Sequence, residues 1–187
     1  MQQHQWSSFM LIDRLSRQLL AAPELMPLLE ELDAGHDALL AVAQSARPLV
    51  VAALWARTPR PCLFVVSGEE AADRAARALA AWLGRSVVAR YPHRRDLPWS
   101  DKQADDAVIG ARVSAIARLA KGEPGIVVAS AASLLRRVPP VGSGYYASAA
   151  FAVGDQVAFE DVGRLLVGMG YADAGDTTQV DAPGLFH

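Results

Sequence analysis

Tyr91 to Leu119 reads YPHRRDLPWSDKQADDAVIGARVSAIARL, the passage of a strand end through a proline-anchored loop into an amphipathic helix. Pro92 and Pro98 fix φ and bias the residues before them away from helix, so His93 to Trp99 is expected as an ordered loop. Asp105 and Asp106 fall in the first turn of a helix beginning near Ala104, where negative charge complements the helix dipole. Ile109, Val113, Ile116 and Ala120 recur at helical spacing and read as the buried stripe, with Arg112, Arg118 and Lys121 elsewhere on the wheel. On their own terms loop and helix read as scaffold, because a loop carries function only where chemistry is visible on it.

Outward from this block, strand-like and helix-like segments alternate. Ser7 to Ala21 and Pro23 to Leu32 read as two helices split by Pro23. Leu39 to Val42 reads as strand, Pro48 to Arg57 as helix, Cys62 to Val66 as strand, Glu69 to Leu83 as helix and Ser86 to Arg90 as strand. Past the central block, Ile126 to Ala129 reads as a buried strand and Ala131 to Arg137 as a short helix. Such alternation predicts an α/β fold: a parallel sheet with helices on both faces, joined by right-handed crossovers. Pro139 to Gly144, PPVGSG, marks a boundary. Residues 1–140 are therefore expected to form one domain and 141–187 the start of a smaller α+β domain, with Phe151 to Val157 as strand, Phe159 to Tyr171 as helix and Asp176 to Val180 extended.

Composition fits an ordinary globular chain. The 187 residues carry 18 Lys and Arg against 20 Asp and Glu, a net charge of −2, so bulk electrostatics call for neither nucleic acid nor a membrane surface. Lys102 and Lys121 are the only lysines; that skew toward arginine, with the abundant alanine, reflects base composition rather than binding. Cys62 is the single cysteine, which excludes an intrachain disulfide and points to the cytoplasm. Asp13 and Arg14 interrupt the apolar run Phe9 to Ile12, so no secretory signal is read there. The longest uncharged stretch, Val138 to Gly154, is too rich in Pro, Gly and Ser to cross a membrane. From Pro140 onward Asp155, Glu160, Asp161, Asp173, Asp176 and Asp181 face Arg164 alone, a segment that repels phosphate backbones.

The sharpest chemical question lies at Ala41 to Pro48, AVAQSARP, between an expected strand and an expected helix. A phosphate-binding loop occupies that place in a P-loop fold. It needs glycines for close backbone approach, a lysine for the terminal phosphates and a Ser/Thr hydroxyl for magnesium.

Arg94-Arg95 followed by Asp96-Leu97-Pro98-Trp99, the acidic helix start and Gly110-x-Arg112 resemble the amino-terminal module of the bacterial transcription-repair coupling factors, itself similar to the excision-repair protein UvrB. The likeness extends through Pro61 to Leu83 with Gly84, Ile126 to Pro139, Gly168-Met169-Gly170-Tyr171 and Pro183-Gly184-Leu185-Phe186, and their shared order makes it strong. It implies a degenerate P-loop, RecA-like domain resembling UvrB's first domain, with a second domain inserted that docks UvrA. Against UvrB's loop, GxTGSGKT, Ser45 alone keeps its residue. Ala41, Gln44 and Ala46 replace glycines, Arg47 replaces the lysine, and Pro48 replaces the magnesium-binding hydroxyl while suiting a helix start. Whether the loop is a disabled nucleotide site or never was one, no ATP site and no cofactor are expected. Only a short loop separates Tyr91 from the next helix, so UvrB's DNA-clamping hairpin does not fit.

The resemblance implies a non-enzymatic recruitment and regulatory role within a parent ATP-dependent DNA translocase, with DNA and RNA polymerase reached only through the rest of that parent. Tyr171 is followed by Ala172-Asp173-Ala174 where the family carries a basic residue. The main UvrA contacts are expected beyond His187, so this chain reads as a fragment. Two other classes stay open: a nucleotide-responsive ATPase half using Arg47, and direct DNA binding through Arg90, Arg94 and Arg95. His36, His93 and His187 are scattered without metal-ligand spacing, and His93 has no nominated partner for acid–base work. Ser67 or Gly68 is read as a helix cap before Glu69 and Glu70, and Trp55, Trp82 and Trp99 as packing residues.

Overall fold

Three parallel strands, β1 (Pro61–Val66), β2 (Val88–Tyr91) and β3 (Gly125–Ser130), form the central sheet of the computed structural model in the spatial order β1-β3-β2. The structure describes residues 14–94, 96, 105–140, 146, 149–175 and 184–186. β3 lies in the middle, paired Cys62 to Ile126 and Phe64 to Val128 on one side and Val88 to Ile126 on the other. All six of its residues are buried. Its uncharged sequence GIVVAS suits that position, because a central parallel strand is covered on both faces and cannot alternate in polarity. Gly125 is required at its start, since a Cβ there would stand 2.9 Å from the Val87 carbonyl oxygen.

The preceding helical segments are α1 (residues 14–20), α2 (Met26–Asp33) and α3 (Arg47–Arg57). α4 (Glu69–Leu83) joins β1 to β2, and α5 (Asp106–Ala120) joins β2 to β3. α4 presents Ala72, Ala75, Leu79 and Leu83, spaced three and four apart, against Ile126 and Val128, with Ala52 of α3 in the same core. α5 packs Ala115 on the opposite sheet face, against Tyr91, Val127 and Ala129. Helices therefore cover both faces, as expected. Gly68 is the residue before α4 and carries no side-chain cap, while Asp105 caps α5 by accepting from the Ala107 amide at 2.9 Å. At the far end of α5, Gly122 takes φ of +67°, its N–H reaches Leu119 and the Glu123 N–H reaches Arg118, satisfying carbonyls left over by the helix.

Beyond the sheet, α6 (Phe159–Gly168) precedes a two-residue parallel pair, β4 (Ala172–Asp173) and β5 (Leu185–Phe186). α6 ends at Gly168, earlier than the Tyr171 end expected, and Met169 and Gly170 form the turn that follows. Gly170 has φ of +91°, and the Tyr171 N–H turns back to the Leu166 carbonyl. No residue of α6 is buried.

Several expected elements differ. Leu39 to Val42 forms no strand; residues 36–43 are irregular and Leu39 is fully exposed. A strand exists only by pairing, and Leu39 to Val42 pairs with no strand among the described residues. Phe151 to Val157 is likewise not a strand: Gly154 at φ of +103° and the Asp155 carboxylate accepting from the Ala152 amide make it a turn. Ala131 to Arg137 shortens to one 3-10 turn, Ala132–Leu134, and β2 starts two residues late because a turn occupies 85–87. The stripe expected on α5 is displaced as well. Arg112 and Ala115 are buried, whereas Ile109 and Val113 remain 39% and 36% exposed. Residues 1–13, Arg95, Leu97 to Ala104 and Asp176 to Pro183 lie outside the described residues. Most of the DLPW loop, Ser7 to Asp13 and the Asp176 to Val180 segment fall there.

Candidate functional site

Gln44, Ser45, Arg47 and Pro48 lie beside the carboxyl end of β1, although the Leu39 to Val42 strand expected before this loop does not form. Ala41 is irregular, Gln44–Ala46 close a 3-10 turn, and Arg47 and Pro48 are the first two residues of α3. With Phe64, Ser67 and Ala71 they border a cleft of about 770 Å³. The backbone there is poorly suited to phosphate. No non-glycine residue in the described chain has positive φ, so the loop lacks the alternating twist that turns successive N–H groups inward. The Ala46 N–H is already donated to the Ala43 carbonyl at 2.9 Å, and Pro48 has none to give. Arg47 and Ser45 are exposed, and Arg47 has no polar partner among the described residues.

A second cluster sits at the carboxyl ends of β2 and β3, where the sheet order reverses. Arg112 is 6% exposed. It donates to the Pro92 carbonyl at 2.7 Å, to the Ser133 carbonyl at 3.3 Å and to the Tyr91 hydroxyl, and its Cζ lies 4.0 Å from the Tyr91 ring centroid. Burial pushes its pKa down, and the nearby Arg94 and Arg136 push it the same way. Burial likewise raises the Tyr91 phenol, against the opposing pull of Arg112. Asp96 neutralises part of this charge. It accepts from Arg94 at 3.0 and 2.6 Å and from Arg136 at 3.2 Å, while Arg136 also donates to the Asp96 carbonyl. The Arg94 hydrogen bonds hold its carboxyl at a pKa of about 2, with Arg136 adding to them.

Glu69, first residue of α4, ties the same loop from beneath. Its Oε2 accepts from Arg90 at 2.8 Å and from the His93 amide at 3.0 Å. Burial pushes this carboxyl up, but the His93 amide, the Ser130 hydroxyl and Arg90 outweigh burial and leave it below its ordinary value. Arg90 also holds Asp73 at 2.9 Å. Two of the three arginines considered for direct DNA contact, Arg90 and Arg94, are thus committed to ion pairs within the chain, and Arg95 lies outside the described residues. His93 contributes its backbone amide to the network.

Over 138 residues the chain is 32% identical to the transcription-repair-coupling factor of Myxococcus xanthus, a match that takes in 70% of this chain. The chain is related to that coupling factor. It spans 11% of that protein's length. No protein-family profile matches the chain.

The sequence pattern of this block does not reveal how its residues are used. Helical periodicity sets Arg112 off the buried stripe, yet the structure buries it. The position of Glu69 behind an expected helix cap gives no sign of its bonds to Arg90 and the His93 amide, and nothing in the sequence pairs Asp96 with Arg136. His36 is exposed and bonded to Glu31 at 2.9 Å. Trp55 and Trp82 pack at the border of the core, and Trp55 donates to the Arg60 carbonyl. Among the described residues no three His, Cys, Asp or Glu side chains converge to hold a metal, and no helix is long and apolar enough to cross a membrane.

Proposed function

We propose that this chain is a non-catalytic interaction module of a cytoplasmic, transcription-coupled DNA repair factor, and that the partner it serves to recruit is the excision-repair protein UvrA. The observation that carries the reading is the relationship to a transcription-repair-coupling factor, supported by a loop whose Ala46 amide is already bonded to the Ala43 carbonyl. On this reading residues 1–140 are a UvrB-like, degenerate P-loop domain and 141–187 begin an inserted docking domain. The whole is one module of a longer ATP-dependent translocase whose other domains contact DNA and RNA polymerase.

The docking contacts are placed beyond His187. The segment from Pro140 onward carries six carboxylates and Arg164 as its one cation, whereas strong anchors at protein interfaces are commonly arginine or aromatic residues in desolvated contacts. A pull-down with purified UvrA tests this directly. The chain ending at His187 is expected to retain UvrA weakly or not at all, and a chain extended through the second domain to retain it. Equal retention by both would move the docking surface into Pro140 to His187 or the first domain. No retention by either would sink the reading.

A nucleotide-responsive half-domain is the second reading, favoured by one observation: Arg47 is exposed, with no polar partner among the described residues, at the rim of the cleft where a P-loop lysine would stand. Pro48 and the engaged Ala46 amide weigh against it.

A further inference from the structure

β2 lies at the side of the sheet remote from β1 and is paired to β3 alone among the described residues. Which of its groups face outward follows from the ladder. The Ile126 N–H donates to the Val87 carbonyl at 2.9 Å, and the register sets Val88 opposite Ile126. Backbone groups alternate sides along a strand, so those of Ala89 and Tyr91 also turn toward β3, and the N–H and C=O of Val88 and Arg90 point away from the sheet. Edges of this kind are normally guarded by proline, a bulge or an outward charge. β2 reads VARY, without proline, and its one charge is bent back over α4, where Glu69 holds Arg90 at 2.8 Å and Asp73 at 2.9 Å.

Beside this edge runs a groove of about 560 Å³, lined by Ala76, Arg77 and Ala80 of α4, by Arg85, and by Val88 and Arg90 of β2. Half-buried alanine and valine make its floor, and the exposed Arg77 and Arg85 stand at its rim. Neither rim arginine has a polar partner among the described residues. The carboxylates of α4 do not neutralise them, because Glu70 is taken by Arg74, and Glu69 and Asp73 by Arg90. On the other face of the sheet Arg118 gives its guanidinium to the Ser86 and Val87 carbonyls at 2.6 and 3.0 Å, so its charge too meets no carboxylate among the described residues. Positive charge therefore flanks the entry of β2 on both faces.

We propose that the β2 edge and this groove receive an extended acidic segment of a partner protein, added to the sheet as a strand beside β2. In such an arrangement main-chain bonds supply affinity and alternate side chains supply specificity. Val88 and Arg90 offer two donors and two acceptors to the incoming backbone. Every second side chain of the segment falls on the α4 face, where carboxylates meet Arg77 and Arg85 over the alanine floor. A nucleic-acid strand fits the same surface less well. The groove holds no aromatic side chain on which a base could stack, and outward carbonyls repel a phosphate backbone, whereas a peptide brings N–H groups to them. The surface lies on the first domain, apart from the UvrA contacts placed beyond His187, and does not depend on them.

Fluorescence anisotropy with the full chain tests the proposal, the probe being a labelled octapeptide in which Glu and Val alternate. Binding should be saturable and should weaken about fivefold in Arg77→Ala and about fivefold in Arg85→Ala, the upper range for exposed ion pairs. Both arginines are exposed, so the two variants should melt with the parent. N-methylation separates strand pairing from simple charge attraction. Methylating either the Glu amides or the Val amides, but not both alternatives alike, should abolish binding, because only one set of amides faces β2. Bound peptide should also slow hydrogen exchange at the Val88 and Arg90 amides by about tenfold or more. Absence of saturable binding overturns the proposal, as does equal binding of an octapeptide alternating Lys and Val. Binding indifferent to methylation of either set overturns it too, since charge alone is then the attraction. Tighter binding of a single-stranded oligothymidylate that is lost in the same arginine variants would assign the surface to nucleic acid instead.

Discussion

The Asp96 carboxylate joins the loop after β2 to the chain after β3 by accepting from Arg136, forty residues away, at 3.2 Å, while Arg94 holds it from its own loop. The contact closes the carboxyl end of the sheet between two connections that would otherwise be independent. Its strength depends on a charge, so it can be titrated away. Asp96 has its carboxyl at about 2 in the folded chain, below the roughly 3.9 of an unperturbed aspartate. Its contribution is fully present above pH 4 and is lost as pH falls through 2. Asp96→Asn should therefore lower the melting temperature at pH 7. The gap between variant and parent should narrow steadily in melts taken from pH 4 down toward 2. A gap independent of pH would show that the carboxylate charge is not what holds the loop.

Arg112 is the more demanding anchor, because it is buried and bonds to carbonyls rather than to a carboxylate. Arg112→Met keeps much of the aliphatic stem but leaves the Pro92 and Ser133 carbonyls and the Tyr91 hydroxyl without their donor, at a cost of about 2–4 kcal/mol. Arg112→Lys should recover only part, since an ammonium cannot span three acceptors with a planar fork or stack on Tyr91. Urea melts of the three forms decide it, and a lysine variant as stable as the parent would mean the planar geometry is irrelevant.

Ile126 to Ala129 was legible because burial on both faces leaves a continuous apolar run, and Cys62 to Val66 carries the same kind of run although its Leu63 and Val65 remain exposed. So was α4, whose alanine and leucine stripe matches the helical period. Leu39 to Val42 carries the same kind of mark and is no strand, since strand formation depends on a partner that local sequence does not record. Arg112 failed for a related reason. Periodicity assigns charged residues to water, and only the carbonyls converging from Pro92 and Ser133 make a buried guanidinium favourable. The cleft beside Gln44 to Pro48 and the use of the Ala46 amide within its own turn were not legible, since both are matters of tertiary and turn geometry.

The displacement of the α5 stripe has a mutational signature. Leu79 on α4 is fully buried, and Leu79→Ala should cost about 2–5 kcal/mol by opening a cavity in the α3–α4 core. Val113→Ala, by contrast, removes methyls that are already 36% exposed and should cost about 1 kcal/mol or less in the isolated chain. Denaturant midpoints of the two variants measure the contrast. Comparable losses would mean that the Ile109 and Val113 flank is a true core face.

Magnesium-ATP should give no heat above dilution in calorimetry. A phosphate needs several inward N–H groups at a helix start, and here the Ala46 amide is bonded within its own turn while Pro48 supplies neither an amide nor a hydroxyl for the metal. Arg47 can still place a charge near the cleft, but an exposed guanidinium in water attracts a phosphate weakly, by roughly 1 kcal/mol at contact distance. That is far short of the −5 to −8 kcal/mol of a ligand bound in the micromolar to submillimolar range. The decisive comparison adds Arg47→Ala. Saturable binding by the parent chain that disappears in Arg47→Ala would establish a working site and favour the nucleotide-responsive reading, whereas absence of heat in both leaves the loop as the helix-initiating turn its geometry describes.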